Sequence, residues 1–97
     1  MYIFLYVKKE NEMYQIKFSK RADKFFSKQT EKTVSKIVEK IEALAVDPYA
    51  DNNNVTKLQG REGYRLRIGN IRVIYNIYND VLLISVVEIG FRGDIYG

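Results

Sequence analysis

The chain has 97 residues, enough for one hydrophobic core and too few for two ordinary domains, and its 46% hydrophobic and 13% aromatic content is that of a folding chain. It contains no cysteine and no histidine, which excludes disulfides, thiol nucleophiles, thiolate metal sites and imidazole acid–base chemistry together. The formal charge is +4 with a pI near 9.3, a balance that favours a polyanion or an acidic protein as partner.

The opening MYIFLYVKKENE is read as an extra strand or an extension (residues 1–12) before a single domain over 13–97. Its apolar run falls well short of the roughly 20 residues that span a membrane. It also runs from apolar to charged, the reverse of a secretory signal, so no membrane partner is expected and the cytoplasm is the default. In YQIKF, Tyr14, Ile16 and Phe18 alternate with polar residues, as in a half-buried strand. Ser19 then stands where an N-cap belongs, ahead of a helix from Lys20 to Lys28 or Gln29 that buries Ala22, Phe25 and Phe26. Thr30 caps a second helix over 31–45, in which Val34, Ile37, Val38, Ile41, Leu44 and Ala45 recur at three and four residues. Asp47-Pro48 ends it, and DPYADNNN follows as a polar loop to which no chemistry is assigned.

Three strands are expected in the remainder: 55–59 or 63–68, then 71–77, then 81–89. Gly69-Asn70 and Asn79-Asp80 make short turns between them. A two-residue loop at Gly69-Asn70 sets Ile68 against Ile71, Arg67 against Arg72, Leu66 against Val73 and Arg65 against Ile74. The second turn, counted the same way, sets Ile77 against Leu82, Tyr75 against Ile84 and Val73 against Val86, with Val87 across from Arg72. Side chains alternate faces, so Tyr64, Leu66, Ile68, Ile71, Val73, Tyr75 and Ile77 point to the helices while Arg65, Arg67 and Arg72 point away. The fold class is α+β: a small, twisted, mainly antiparallel sheet packed on one face by an N-terminal helical hairpin.

Between Lys57 and Arg72 stand five bases (Lys57, Arg61, Arg65, Arg67, Arg72) and one acid (Glu62), a local +4 equal to the whole chain's excess. Like charges directly opposite on neighbouring strands are destabilising, so Arg67 and Arg72 call for a solvated face or an anion. Arginine offers a rigid fork of donors that matches phosphate oxygens. Several around one phosphodiester would stabilise the charge that develops when an adjacent oxygen attacks phosphorus. RNA carries that nucleophile, its 2′-hydroxyl, so neither a metal nor a cofactor is required. The carboxylates show neither D-x-D nor EF-hand-like spacing, and proton movement would fall to Tyr96, Tyr64 or Glu88. Charge pattern alone leaves three uses open: solubility, binding of a nucleic acid or acidic partner, and catalysis.

The order of KLQGREGYRLRIGNIRVIYNI, then VVEIGFRGDIY, with the earlier YQIKFSKRADKFF, resembles the RelE/ParE superfamily of toxins from bacterial and archaeal toxin–antitoxin pairs, over about Tyr14 to Tyr96. The resemblance implies a ribosome-dependent messenger-RNA endonuclease that is metal-independent and uses the 2′-hydroxyl. One alternative, from the same superfamily, is a gyrase-inhibiting toxin without nuclease activity, and a second, from a different class, is a catalytically silent antitoxin-binding protein. It implies a cognate antitoxin as partner, the ribosome and messenger RNA as targets, and operator DNA contacted only through the antitoxin. Carried onto this chain, it makes Arg65, Arg67, Arg72, Arg92 and Tyr96 catalytic, and Lys57, Arg61, Tyr64 and Phe91 RNA-binding. Phe91 stands where many relatives have histidine, and Arg65 and Arg67 stand where some nucleases have lysine. Arginine resists deprotonation, so an electrostatic role is expected of both.

Overall fold

The computed structural model describes residues 4–6 and 14–95. Its elements in chain order are β1 (Phe4–Tyr6), β2 (Gln15–Phe18), α1 (Lys20–Ser27), α2 (Glu31–Val46), β3 (Val55–Lys57), β4 (Tyr64–Ile68), β5 (Ile71–Tyr78), β6 (Leu83–Phe91) and the short α3 (Arg92–Ile95). The six strands form one sheet in the order β1-β2-β6-β5-β4-β3. Among the described residues only the β2–β6 contact is parallel. The α+β architecture therefore stands as expected from the sequence. Residues 4–6 pair with β2 at the sheet edge, while the rest of the opening segment lies outside the described residues. Among the described residues no helix is long and apolar enough to cross a membrane.

Local chemistry sets the helices. The Ser19 hydroxyl accepts from the Ala22 amide at 3.1 Å and donates to the Val87 carbonyl at 2.6 Å, so one side chain both caps α1 and ties its start to β6. Thr30 accepts from the Thr33 amide at 3.2 Å and opens α2. Ala22 and Phe26 of α1, with Ile37, Ile41, Leu44 and Ala45 of α2, bury against Ile16, Phe18, Val73, Tyr75, Ile84 and Val86 of the sheet. Phe26 meets Phe18 edge to face, centroids 5.2 Å apart, a favoured aromatic geometry.

The β4–β5 register is the one read from the sequence, residue for residue from Arg65↔Ile74 to Ile68↔Ile71. Gly69 takes φ +59° at the first turn position, the signature of a tight hairpin whose twist matches its strands. Three expectations are corrected. The segments 55–57 and 64–68 are both strands, paired antiparallel through Thr56↔Arg65, where only one of them had been expected. The β5–β6 loop runs through residues 79–82, with Leu82 at φ +50°, so Ile77 faces Ile84 and Tyr75 faces Val86. A bulge then intervenes at Ile74/Tyr75, and Arg72 faces Gly90 instead of Val87.

Candidate functional site

The outward face of the sheet is organised in two cross-strand rows. In the first, Arg67, Arg72 and Gly90 stand side by side on β4, β5 and β6. In the second, Thr56, Arg65, Ile74 and Glu88 do so on β3 to β6. The bulge decides this arrangement. Before it, Ile84 and Val86 are buried inward; after it, Ile89 is inward and Glu88 and Gly90 turn outward, because one extra residue reverses strand parity.

Arg65, Arg67, Arg72 and Arg92 line one groove of about 270 Å³, together with Asn53, Asn54 and Thr56. The four are thus convergent, although they come from two strands and the final helical turn. Arg92 is brought there by its own amide, which donates to the Asn70 carbonyl at 2.8 Å and folds the end of β6 against the β4–β5 turn.

Arg67 and Arg72, the directly opposed pair, are both held by neutral oxygens. Arg72 is 9% exposed, and its Nη1 donates to the carbonyls of Gly69 at 2.8 Å and Ile71 at 3.1 Å. Arg67 is exposed, and its Nη2 donates to Asn54 Oδ1 at 3.1 Å while its backbone amide donates to the Asn54 carbonyl at 2.8 Å. Among the described residues no carboxylate stands within ion-pair distance of Arg67, Arg72 or Arg92. The positive charge of this pair is therefore oriented without being neutralised by any carboxylate of the described residues. Oriented donors around an open groove suit a multiply charged anion.

Asn54 is a functional candidate that sequence reasoning passed over, since DPYADNNN carried no assigned chemistry. Its signal was weak: a run of asparagines announces a turn, not the distant arginine it will hold. The other expected residues lie elsewhere. Lys57 and Arg61 line a neighbouring groove that shares Thr56 and Arg65 with the first. Tyr64 is on the helix side, stacked on Tyr75 with centroids 5.6 Å apart and planes at 22°, so the sheet separates it from the arginines. Phe91 pairs with Ile71 and meets Phe25 of α1 edge to face at 5.4 Å, again on the helix side. Glu88 lines the neighbouring groove and pairs with Arg21 at 3.5 Å. Tyr96 lies outside the described residues.

A sequence-family model described as the ParE toxin of type II toxin–antitoxin systems, parDE, matches residues 16–96. Among solved structures, the chain is similar to the archaeal RelE–RelB complex from Pyrococcus horikoshii at 26% identity and a TM-score of 0.71, covering 82% of this chain and 96% of that one. It shares its fold with the toxin–antitoxin complex RelBE2 from Mycobacterium tuberculosis, at 20% identity and a TM-score of 0.68 over 81% of this chain and 98% of that one. It also shares it with free mutant RelE from E. coli, at 21% and 0.62 over 84% and 87%. A search of curated proteins finds no match.

Proposed function

The chain belongs to the RelE/ParE superfamily of toxins from type II toxin–antitoxin systems, and from that premise we propose that it is a ribosome-dependent messenger-RNA endonuclease. The carrying observation is the single groove lined by Arg65, Arg67, Arg72 and Arg92. In the reaction, the 2′-hydroxyl attacks the adjacent phosphorus and the bond from phosphorus to O5′ breaks, leaving a cyclic phosphate and a 5′-hydroxyl. One proton leaves the attacking hydroxyl and one reaches O5′, so none is consumed overall. Arg72 and Arg92 hold the non-bridging oxygens, and Arg65 and Arg67 act on the sugar side.

Electrostatics is the main contribution of these groups. A preorganised donor at a developing anion contributes about 10²- to 10³-fold, and arginine is no base near neutrality. Tyr64 lies behind the sheet and Glu88 lines the neighbouring groove rather than that of the arginines, so in this scheme protons move through Tyr96 or solvent. The ribosome supplies the substrate's shape, which makes free RNA a poor substrate. The protein acts in the cytoplasm and is held by a cognate antitoxin, as the complexed RelE relatives support. Contact with operator DNA runs through that antitoxin.

The match to a ParE toxin family favours one second reading, a gyrase-directed toxin that cuts no RNA. Purified protein incubated with programmed ribosomes, with free message and with gyrase separates the two. The nuclease reading expects new 5′ ends on ribosome-bound message, reduced at least about 100-fold by Arg72→Ala. Gyrase inhibition without such ends, or unchanged cutting by a folded Arg72→Ala protein, overturns it.

A further inference from the structure

The groove beside that of the arginines has a different chemical character. It measures about 440 Å³ and shares Thr56 and Arg65 with its neighbour, so the two adjoin. Its floor includes Ile74, in the second row of the sheet, and Ile95, brought over the outward face by α3. Ile95 packs so closely on Gly90 that a Cβ there would come within 3.2 Å of its Cγ1 and Cδ1. Across the row from Arg65, beyond Ile74, stands Glu88. Its Oε1 is held by Arg21 at 3.5 Å, and its side chain keeps 31% of its surface exposed.

A groove for phosphate alone would have no use for an aliphatic floor and would be weakened by a carboxylate. A nucleobase whose edge carries N–H donors suits both, because its faces are apolar and that edge can donate to the carboxylate. We propose that this second groove seats the base adjoining the phosphate in the arginine groove, with Ile74 and Ile95 beneath its face and Glu88 reading its edge. The proposal rests on the nuclease reading above. A carboxylate accepts from the amino group of cytosine or from the adjacent N1–H and N2–H₂ of guanine, and it repels the carbonyls that flank the single N3–H of uracil. Guanine, with two neighbouring donors, matches it best. Lys57 and Arg61 at the groove place positive charge for the next phosphate along the strand.

Two measurements on the full chain test this. The first maps cut sites on programmed ribosomes for the wild type and Glu88→Gln. The wild type should favour guanine beside the cut, and the variant should lose that preference roughly fivefold or more, read as the ratio of guanine to other cut sites within each protein. The second follows the Ile74 and Ile95 methyl signals by NMR during titration with an uncuttable 2′-O-methyl guanine dinucleotide and with the abasic sugar phosphate. Both methyls should shift with the dinucleotide and stay still with the abasic compound, and Ile95→Ala should weaken binding of the dinucleotide selectively. Silent methyls overturn the base seat whatever the cutting shows. An unchanged cut profile in a folded Glu88→Gln protein overturns the role of Glu88. Shifted methyls in a protein that cuts nothing support the seat and overturn the nuclease reading, so the two failures are distinct.

Discussion

Arg67 and Arg72 face each other on β4 and β5, and replacing each with glutamine, singly and together, tests whether the sheet carries a strained pair of charges waiting for an anion. Glutamine removes the charge and keeps an amide donor. Opposed like charges cost on the order of 0.2–1 kcal/mol, whereas the hydrogen bonds from a charged Arg72 to the Gly69 and Ile71 carbonyls contribute about 1.5–3 kcal/mol. Arg72→Gln should therefore lose stability, by about 1–2 kcal/mol after the relief is subtracted. Arg67→Gln, whose Asn54 contact is exposed, should be neutral or slightly stabilising. The double-mutant cycle should give a repulsive coupling of about 0.2–1 kcal/mol at low salt. It should fade near 1 M salt, where the screening length falls to about 3 Å.

Pyrophosphate supplies the missing partner in the same experiment. At ten times its dissociation constant it should stabilise the wild type by RT ln 11, about 1.4 kcal/mol, or on the order of 6–11 °C in Tm for a domain of this size. The double variant should lose most of that gain. Thermal unfolding followed by circular dichroism, with chloride matched for ionic strength, reads both quantities. An attractive coupling, or an equal pyrophosphate gain in the double variant, refutes the reasoning.

Three further outcomes are expected. Asn54→Ala removes the side-chain hold on Arg67 and leaves the backbone bond, so ribosomal cleavage should fall roughly 3- to 10-fold with little change in Tm; unchanged cleavage would assign Asn54 to the loop alone. Burial raises the Tyr75 phenol well above its ordinary pKa, with Tyr64 and Tyr49 adding to the effect, and the hydroxyl has no hydrogen-bond partner among the described residues. The unfolded chain ionises there near pH 10 while the folded one keeps its proton, so this source of stability is whole below about pH 10 and is lost as pH rises toward the folded pKa. Tyr75→Phe should be unchanged or up to about 1 kcal/mol more stable at pH 7, with a shallower alkaline decline in urea midpoints; a clear loss at pH 7 contradicts it. Gly63 adopts φ +118°, and a Cβ would lie 2.6 Å from Asn76 Oδ1 and 3.0 Å from the Tyr75 carbonyl, so Gly63→Ala should cost about 2–3 kcal/mol in a denaturant melt.

What the sequence disclosed was what local rules control. Ser19, Thr30 and the three-and-four spacing of α2 are decided within a few residues of themselves, and the β4–β5 register follows from a two-residue turn with glycine in it. The β5–β6 register was hidden because Leu82 takes a positive φ without being a turn residue, and because Val86-Val87-Glu88 gives no mark of a bulge. The exposed VTK of β3 has no apolar alternation to betray it. Its strand character comes from its pairing with β4. The convergence of Arg65, Arg67 and Arg72 was legible from parity. The placement of Arg92 in the same groove rests on a backbone contact to Asn70 across the fold. Tyr64 and Phe91, which the resemblance makes RNA-binding, both lie on the helix side, Tyr64 by the parity already legible in the sequence and Phe91 because of the bulge in the β5–β6 pairing.

The β6 bulge joins these observations into one cause. Continued without interruption from Ile84 and Val86, β6 would bury Glu88 and Gly90 and push Ile89 and Phe91 outward. That would place a carboxylate in an apolar core, a large cost, and would leave two large apolar side chains facing the arginines. One extra residue corrects both faults: Ile89 enters the core, and Gly90 comes opposite Arg72, where its missing side chain admits Ile95. Glu88 and Ile74 then share the outward row that floors the second groove. Core completion and site formation are therefore the same structural event, and the polarity of the groove follows from the demand that β6 keep its apolar residues dry.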